Sequence, residues 1–224
     1  MLDFNKFDWG NVKEIDKITI LDECLNRIYE KYFNVEKGDV VVDIGGFTGD
    51  FIYSILDREP EHCWIIEPVE EYFRLMYKNL KNYQVSFIRG SISDKDKIKI
   101  NWSGFESEVP GINFRNFIKD NCIDKIDFLK SDCEGGEYHI FNNENLYFLK
   151  NNVRKIACEF HLEVQLGGQD IDFKENFRYF RDNILVKFNN YNVNAVDGVD
   201  IKWDLFNEHF IDYYKQILIY IDNR

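Results

Sequence analysis

From residue 39 onward, short apolar runs alternate with longer stretches in which apolar residues recur every three or four positions. The short runs read as strands: DVVVDIG (39–45), HCWIIEP (62–68), VSFIRGSI (85–92), KIDFLKSD (125–132) and KIACEFH (155–161). Their length and their β-branched and aromatic content suit a sheet better than a helix. In VEEYFRLMYKNL, by contrast, Val69, Tyr72, Phe73, Met76 and Leu80 line one helical face, and Phe173, Phe177, Phe180 and Ile184 repeat that rhythm in DFKENFRYFRDNIL, where Asp172 is placed to cap the start. Leu21, Cys24, Leu25, Ile28 and Tyr32 predict a covering helix before the first strand. After the fifth, YNVNAVDGVDIKW and KQILIYID read as two more strands on either side of DLFNEHFIDYY, the second able to enter the sheet antiparallel. Such alternation predicts an α/β protein with a mostly parallel sheet covered by helices. Two segments, 101–114 and 162–170, are rich in Gly, Ser or charge and read as surface loops or as a lid over a pocket.

Composition narrows the partners. No repeat or linker-like shift divides the 224 residues, so one domain is expected: a covering segment (1–38), a core (39–161) and a C-terminal part that completes the sheet (162–224). With 28 Lys and Arg against 40 Asp and Glu, the net charge of −12 repels a phosphate backbone and argues against nucleic acid. No stretch approaches the roughly 18 apolar residues of a membrane helix, and the opening MLDFNKFDWGNVKEID has no apolar core, so a soluble cytoplasmic protein is expected. Five widely spaced cysteines, odd in number and without a CxxC, fit reduced thiols. The assembly is left open, a homodimer included.

The first strand ends in Asp43 and runs into Gly45, Gly46 and Gly49. A glycine turn between strand and helix brings backbone N–H groups close to a ligand, although a tight turn with no ligand has the same sequence. Glu67 closes the second strand at nearly the offset of about 20 residues from which an acid reaches a ribose hydroxyl. The glycines do not satisfy G-x-G-x-x-G, which weakens a nicotinamide or flavin reading. Asp43 suits instead a cofactor with an amino-acid moiety, such as S-adenosylmethionine, whose ammonium seeks a carboxylate.

Four segments in order resemble the FkbM-type S-adenosylmethionine-dependent methyltransferases: DIGGFTG, IEPVEEYFRLMYKN, IDFLKSDCEGGEYHIF and CEFH, spanning roughly residues 39–161. Gly46 and Phe47 depart from that family's alanine and asparagine, and Phe47 is expected to pack rather than to bind. The resemblance implies a Rossmann-like seven-stranded methyltransferase sheet, mostly parallel with one antiparallel strand and helices on both faces. It places Asp43, Gly45 and Gly49 around the methionine portion of the cofactor, Glu67 on the ribose, and Ser91 and Ile92 beside the adenine. Gly46, Thr48, Pro68 and Asp132 complete the cofactor contacts.

Methyl transfer to a hydroxyl demands alignment and removal of a proton. Asp132 and Glu134 end the fourth strand and Glu159 and His161 the fifth, each pair sharing a face. Three readings stay open: His161 as general base; Asp132, Glu159 and His161 as ligands of Mg²⁺ or Mn²⁺; or acids that cap helices beside a structural histidine. Glu134, Tyr138 and His139 are expected to line the acceptor pocket. Lys130 reads as an ion-pair partner, or, with Arg89 and Arg115, as a cation at the rim for a phosphorylated acceptor. The resemblance suggests as acceptor a sugar, nucleotide-sugar or oligosaccharide of a surface glycan such as capsule or lipopolysaccharide. The alternatives are an O-methyltransferase of another small-molecule natural product, a nicotinamide-dependent oxidoreductase, or a non-catalytic cofactor-binding partner subunit.

Overall fold

The computed structural model describes residues 3–102, 105–163 and 171–224. In chain order its strands are β1 (Val40–Ile44), β2 (His62–Glu67), β3 (Val85–Arg89), β4 (Ser91–Ile92), β5 (Lys97–Trp102), β6 (Phe105–Ile112), β7 (Ile126–Ser131), β8 (Val153–His161), β9 (Tyr191–Asn194) and β10 (Gln216–Asp222). Seven of them form one sheet in the order β3-β2-β1-β7-β8-β10-β9. β10 is antiparallel to both β8 and β9, and the remaining neighbours are parallel, so the sheet is the mostly parallel one expected, with a single inverted strand. The helices are α1 (Glu14–Asn26), α2 (Asp50–Ile55), α3 (Glu70–Leu80), α4 (Phe114–Asp120), α5 (Glu137–Ile140), α6 (Leu146–Asn151), α7 (Phe173–Tyr179) and α8 (Phe210–Tyr213).

Both faces of the sheet are covered, which is why its central strands are apolar at consecutive positions rather than at alternate ones. Val42, Ile44, Leu129, Ile156 and Phe160 enter one core with the aromatic rings of α4 and α7. On the other side Val41, Ile65, Phe128 and Ala157 pack with Phe51, Ile52, Met76 and Leu80 of α2 and α3. Asp172 caps α7 as expected, accepting from the Glu175 N–H at 3.0 Å. A π-helical turn, Phe180–Ile184, then carries Phe180 onto the ring of Phe160.

Three expectations need correction. The covering helix does not reach Tyr32: α1 stops at Asn26, and Arg27 turns left-handed (φ 52°). Its cover is partial: Leu21 packs against the core, while Ile15 and Leu25 are 66% and 54% exposed. Segment 101–114 is largely a strand, for β5 and β6 pair antiparallel and β6 pairs in parallel with β4. Alternation of Lys97, Ile98 and Lys99, with Ile98 buried, drives that hairpin. Residues 103–104 and 164–170, the latter most of the second proposed lid, lie outside the described residues. The run 191–203 is a strand only to Asn194, because a turn at Gly198 folds Asp200 back onto Asn194.

Candidate active site

The chain leaves β1, builds β2 and β3 to one side, and crosses to β7 on the other. The carboxyl ends of β1 and β7 therefore flank the point where strand order reverses, the usual ligand crevice of such a sheet. Backbone register puts Asp43 beside Lys130, and Lys130 beside Ala157. Because side chains alternate, Val41 and Phe128 fill the core below while Asp43 and Lys130 stand at the crevice on the same face.

Gly45 begins the loop at φ 81°, with a left-handed turn that a β-carbon would spoil twice over: by strain, and by overlap with the Asp132 carbonyl oxygen. The N–H groups of Gly45 and Gly46 both reach the Ile66 carbonyl at 3.0 Å. Glu67 completes the link between loop and second strand. One of its oxygens accepts from Phe47 N–H at 2.9 Å and the other from Val69 N–H at 2.7 Å. Burial pushes this carboxyl up to about 8 against those two donors. Phe47 packs, as expected, but on Tyr72 of α3, with ring centres 4.2 Å apart. Thr48 is buried, its hydroxyl on Asp50 (3.2 Å) and its carbonyl held by Asn79 (3.1 Å). Pro68 lies half-exposed between Glu67 and α3.

Asp43 is fully buried. Its Oδ1 lies 3.1 Å from Lys130 Nζ, yet neither oxygen accepts a hydrogen bond. Burial pushes its carboxyl up to about 7, opposed by Lys130. Lys130 itself donates to the Gly45 carbonyl at 2.7 Å. Against the burial that would discharge it, Asp43, Asp132 and Asp50 hold it charged. Lys130 is thus an ion-pair partner inside the crevice and not a cation at the rim. Arg89 pairs with Glu70 at 2.8 Å, which leaves Arg115, exposed on the first turn of α4, for that role.

The second cluster gathers around His161. Its Nε2 faces Glu134 at 3.5 Å, Glu159 at 3.6 Å and Asp132 at 3.9 Å, while Nδ1 meets Glu137 at 3.2 Å. Although burial pulls the imidazole down, Glu137, Glu134 and Asp132 hold it up at about 10. Burial pushes Glu134 up to about 7, with His161 opposing, and burial beside Asp132 raises Glu159 well above the usual range. Glu134 sits in a left-handed turn (φ 54°) after the strand, not on it.

Several expected residues stand elsewhere. Tyr138 belongs to the core, its hydroxyl donating to the His161 carbonyl at 2.6 Å. His139 pairs with Asp94 at 2.8 Å instead of joining the acids. Along α5 successive residues turn by about 100°, so Glu137 meets the His161 ring while Tyr138 reaches only the His161 carbonyl and His139 turns to Asp94. Ser91 and Ile92 form β4, and the Ile92 side chain is in the core. Three residues went unanticipated. Glu137, fully buried, accepts from Cys133 N–H (2.8 Å) and Gly135 N–H (2.7 Å) as well as facing His161. Tyr29 donates to Asp132 Oδ2 at 3.0 Å and stacks over Lys130. Glu23 of α1 feels Asp132 and Asp50, and burial pushes it up to about 7.

A sheet with strand order reversed at β1 and β7, one inverted strand and a glycine loop in the crevice is the Rossmann-like methyltransferase fold. Aeropyrum pernix fibrillarin, solved with natively bound S-adenosyl-L-methionine, shares it at a TM-score of 0.51 and 12% identity, covering 90% of this chain and 73% of that one. The plantazolicin methyltransferase BamL, solved with a triazolic desmethylPZN analog and SAH, does so at 0.51 and 15%, covering 94% and 87%. No curated protein sequence matches the chain. The Methyltransferase FkbM domain matches residues 39–193, and the chain belongs to that family.

Proposed function

We propose that the chain is an S-adenosylmethionine-dependent O-methyltransferase acting on a hydroxyl of a sugar or nucleotide-activated sugar. The observation that carries this reading is the adjacency of two unlike sites at one sheet edge. The buried oxygens of Asp43, which accept no hydrogen bond, lie beside the glycine loop, and the His161 cluster lies one strand further on. The first suits an ammonium or sulfonium, and Glu67, already bound to the loop, suits the ribose. When bound, S-adenosylmethionine supplies the methyl group. The structures of fibrillarin and BamL with S-adenosylmethionine and SAH support that cofactor on this fold. With a methyltransferase family shown, the nicotinamide alternative loses its support.

On the acceptor side the acids around His161 hold it protonated, so proton removal passes to a carboxylate, and Glu134, raised by burial to about 7, is the candidate. His161, fixed by Glu137, orients Glu134, Glu159 and Asp132. A second reading has a specific observation behind it. Asp132, Glu137 and His161 offer ligand atoms within 4.8 Å of one another, a grouping able to take a divalent cation. It differs from the expected set in having Glu137 where Glu159 was expected. Activity lost in EDTA and restored by Mg²⁺ or Mn²⁺ would favour this reading, and full activity in excess EDTA would favour the carboxylate base.

The acceptor class is tested by screening nucleotide sugars, free sugars, catechols and small peptides for S-adenosylhomocysteine release. Turnover with nucleotide sugars or sugars is expected. Turnover confined to catechols or peptides would overturn the glycan assignment and leave the methyltransferase standing.

A further inference from the structure

The crevice is walled by acids from elements far apart in sequence. Asp43 comes from the end of β1, Asp50 from the start of α2, Asp132 from beyond β7, Glu159 from β8 and Glu23 from α1. Lys130 acts electrostatically on Glu23, Asp43, Asp50 and Glu159, and Asp132 acts on Lys130, so these groups share one field. Lys130 is the cation among them, and His161, itself buried, meets Asp132 at 3.9 Å and Glu159 at 3.6 Å. Five carboxyl groups against Lys130 and His161 leave the site short of positive charge, and burial accordingly raises Asp43, Glu23 and Glu159 toward protonation. Asp43, fully buried, marks the shortage, since Lys130 at 3.1 Å from Oδ1 is its ion-pair partner and its Oδ2 has no hydrogen-bond donor. A cavity between α1 and α2, lined by Glu23, Arg27, Tyr29, Glu30, Asp50 and Phe51, adjoins this group through Tyr29, which bonds Asp132.

Such a site rewards a ligand by its charge more than by its shape. S-adenosylmethionine carries a sulfonium and an ammonium against one carboxylate, a net charge of +1. Loss of the methyl cation to the acceptor leaves S-adenosylhomocysteine, a neutral thioether zwitterion of nearly the same outline. We propose that the acids of this crevice, with Glu23 and Tyr29 contributed by the N-terminal segment, read the positive charge of the cofactor, so that the protein holds the sulfonium form and releases the thioether product. The inference rests on the S-adenosylmethionine reading above and adds to it a discrimination between substrate and product. Glu23 contributes charge directly. Tyr29 acts through Asp132, whose Oδ2 it holds at 3.0 Å, and is a positioning residue.

Calorimetric titration of the full chain with S-adenosylmethionine, S-adenosylhomocysteine and sinefungin, whose amine puts a positive charge in place of the sulfonium, tests this without turnover. The two cationic ligands are expected to bind at least tenfold more tightly than S-adenosylhomocysteine. The gap should narrow as salt rises. Glu23→Gln should weaken the cationic ligands several-fold and leave S-adenosylhomocysteine unchanged. Glutamine keeps the shape of Glu23 and removes only its charge, and a thermal midpoint equal to that of the wild type checks that the fold is intact. Tyr29→Phe, which keeps the ring over Lys130, should narrow the gap in the same direction. S-adenosylhomocysteine binding as tightly as the cationic pair would overturn the discrimination while leaving the cofactor reading in place. Failure of all three ligands to bind would overturn both.

Discussion

The carboxylate of Glu67 accepts two backbone N–H groups at once, which glutamine cannot do, because its amide nitrogen would face one of those donors. Glu67→Gln is therefore expected to weaken S-adenosylmethionine binding by about 1–3 kcal/mol, the usual cost of a buried donor left unmatched. Calorimetry checks it, and an unchanged affinity would remove Glu67 from the loop's support. The His161 cluster predicts a pH profile. Glu134, raised to about 7, gains its charge as pH climbs through that value, so kcat/KM should rise there. His161, held at about 10, loses its proton above that, and the rate should fall. Glu134→Gln, which removes the proposed base, should lower kcat/KM by about 10²–10⁴-fold across the profile. For stability the sign is that of a raised histidine: its contribution is complete below about 6.5 and is lost as pH rises through about 10. Asp43, Asp132, Glu159 and His161 could be picked out of the chain because each ends a recognisable apolar run. Tyr29 could not, since its partner Asp132 lies 103 residues away and only packing brings them together. Glu137 was hidden by its own neighbourhood, where a helix start full of polar residues gives no sign of which one turns inward.

At the level of elements, the β1 turn is where backbone geometry leaves least freedom. Gly45→Ala should cost at least about 1–3 kcal/mol through its φ of 81° and its contact with Asp132. A thermal scan should show the midpoint drop by roughly 3–10 °C, with cofactor binding lost. A variant of unchanged midpoint would mean the loop can shift away from Asp132. Strands of the central sheet were legible because burial on both faces writes a continuous apolar run. The hairpin of β5 and β6 was not, because it is covered on one side only and its outer face carries Lys97 and Glu108, paired at 2.6 Å. The end of α1 was misplaced for a related reason. Leu25 and Ile28 continue the helical spacing in sequence, but Arg27 breaks the helix between them, and nothing about arginine announces a left-handed turn.

For the molecule as a whole, a net charge of −12 sets the condition under which a phosphorylated acceptor can approach. On the proposed nucleotide-sugar reading, with Lys130 enclosed and Arg89 paired, Arg115 is the exposed one of the three candidate rim cations, so Arg115→Ala should lower affinity for a nucleotide sugar several-fold. Wild-type affinity should also fall as ionic strength rises. An affinity indifferent to both would point to an uncharged acceptor. No described helix is long and apolar enough to cross a membrane. The inverted strand has one further consequence, for the order in which the molecule can assemble. β10 lies between β8 and β9 in space but follows both in sequence, so during synthesis each of them waits with an open row of backbone donors and acceptors. That half-finished sheet is an adhesive edge. Newly made chains should therefore depend on chaperones until residues 216–222 emerge from the ribosome and close the gap.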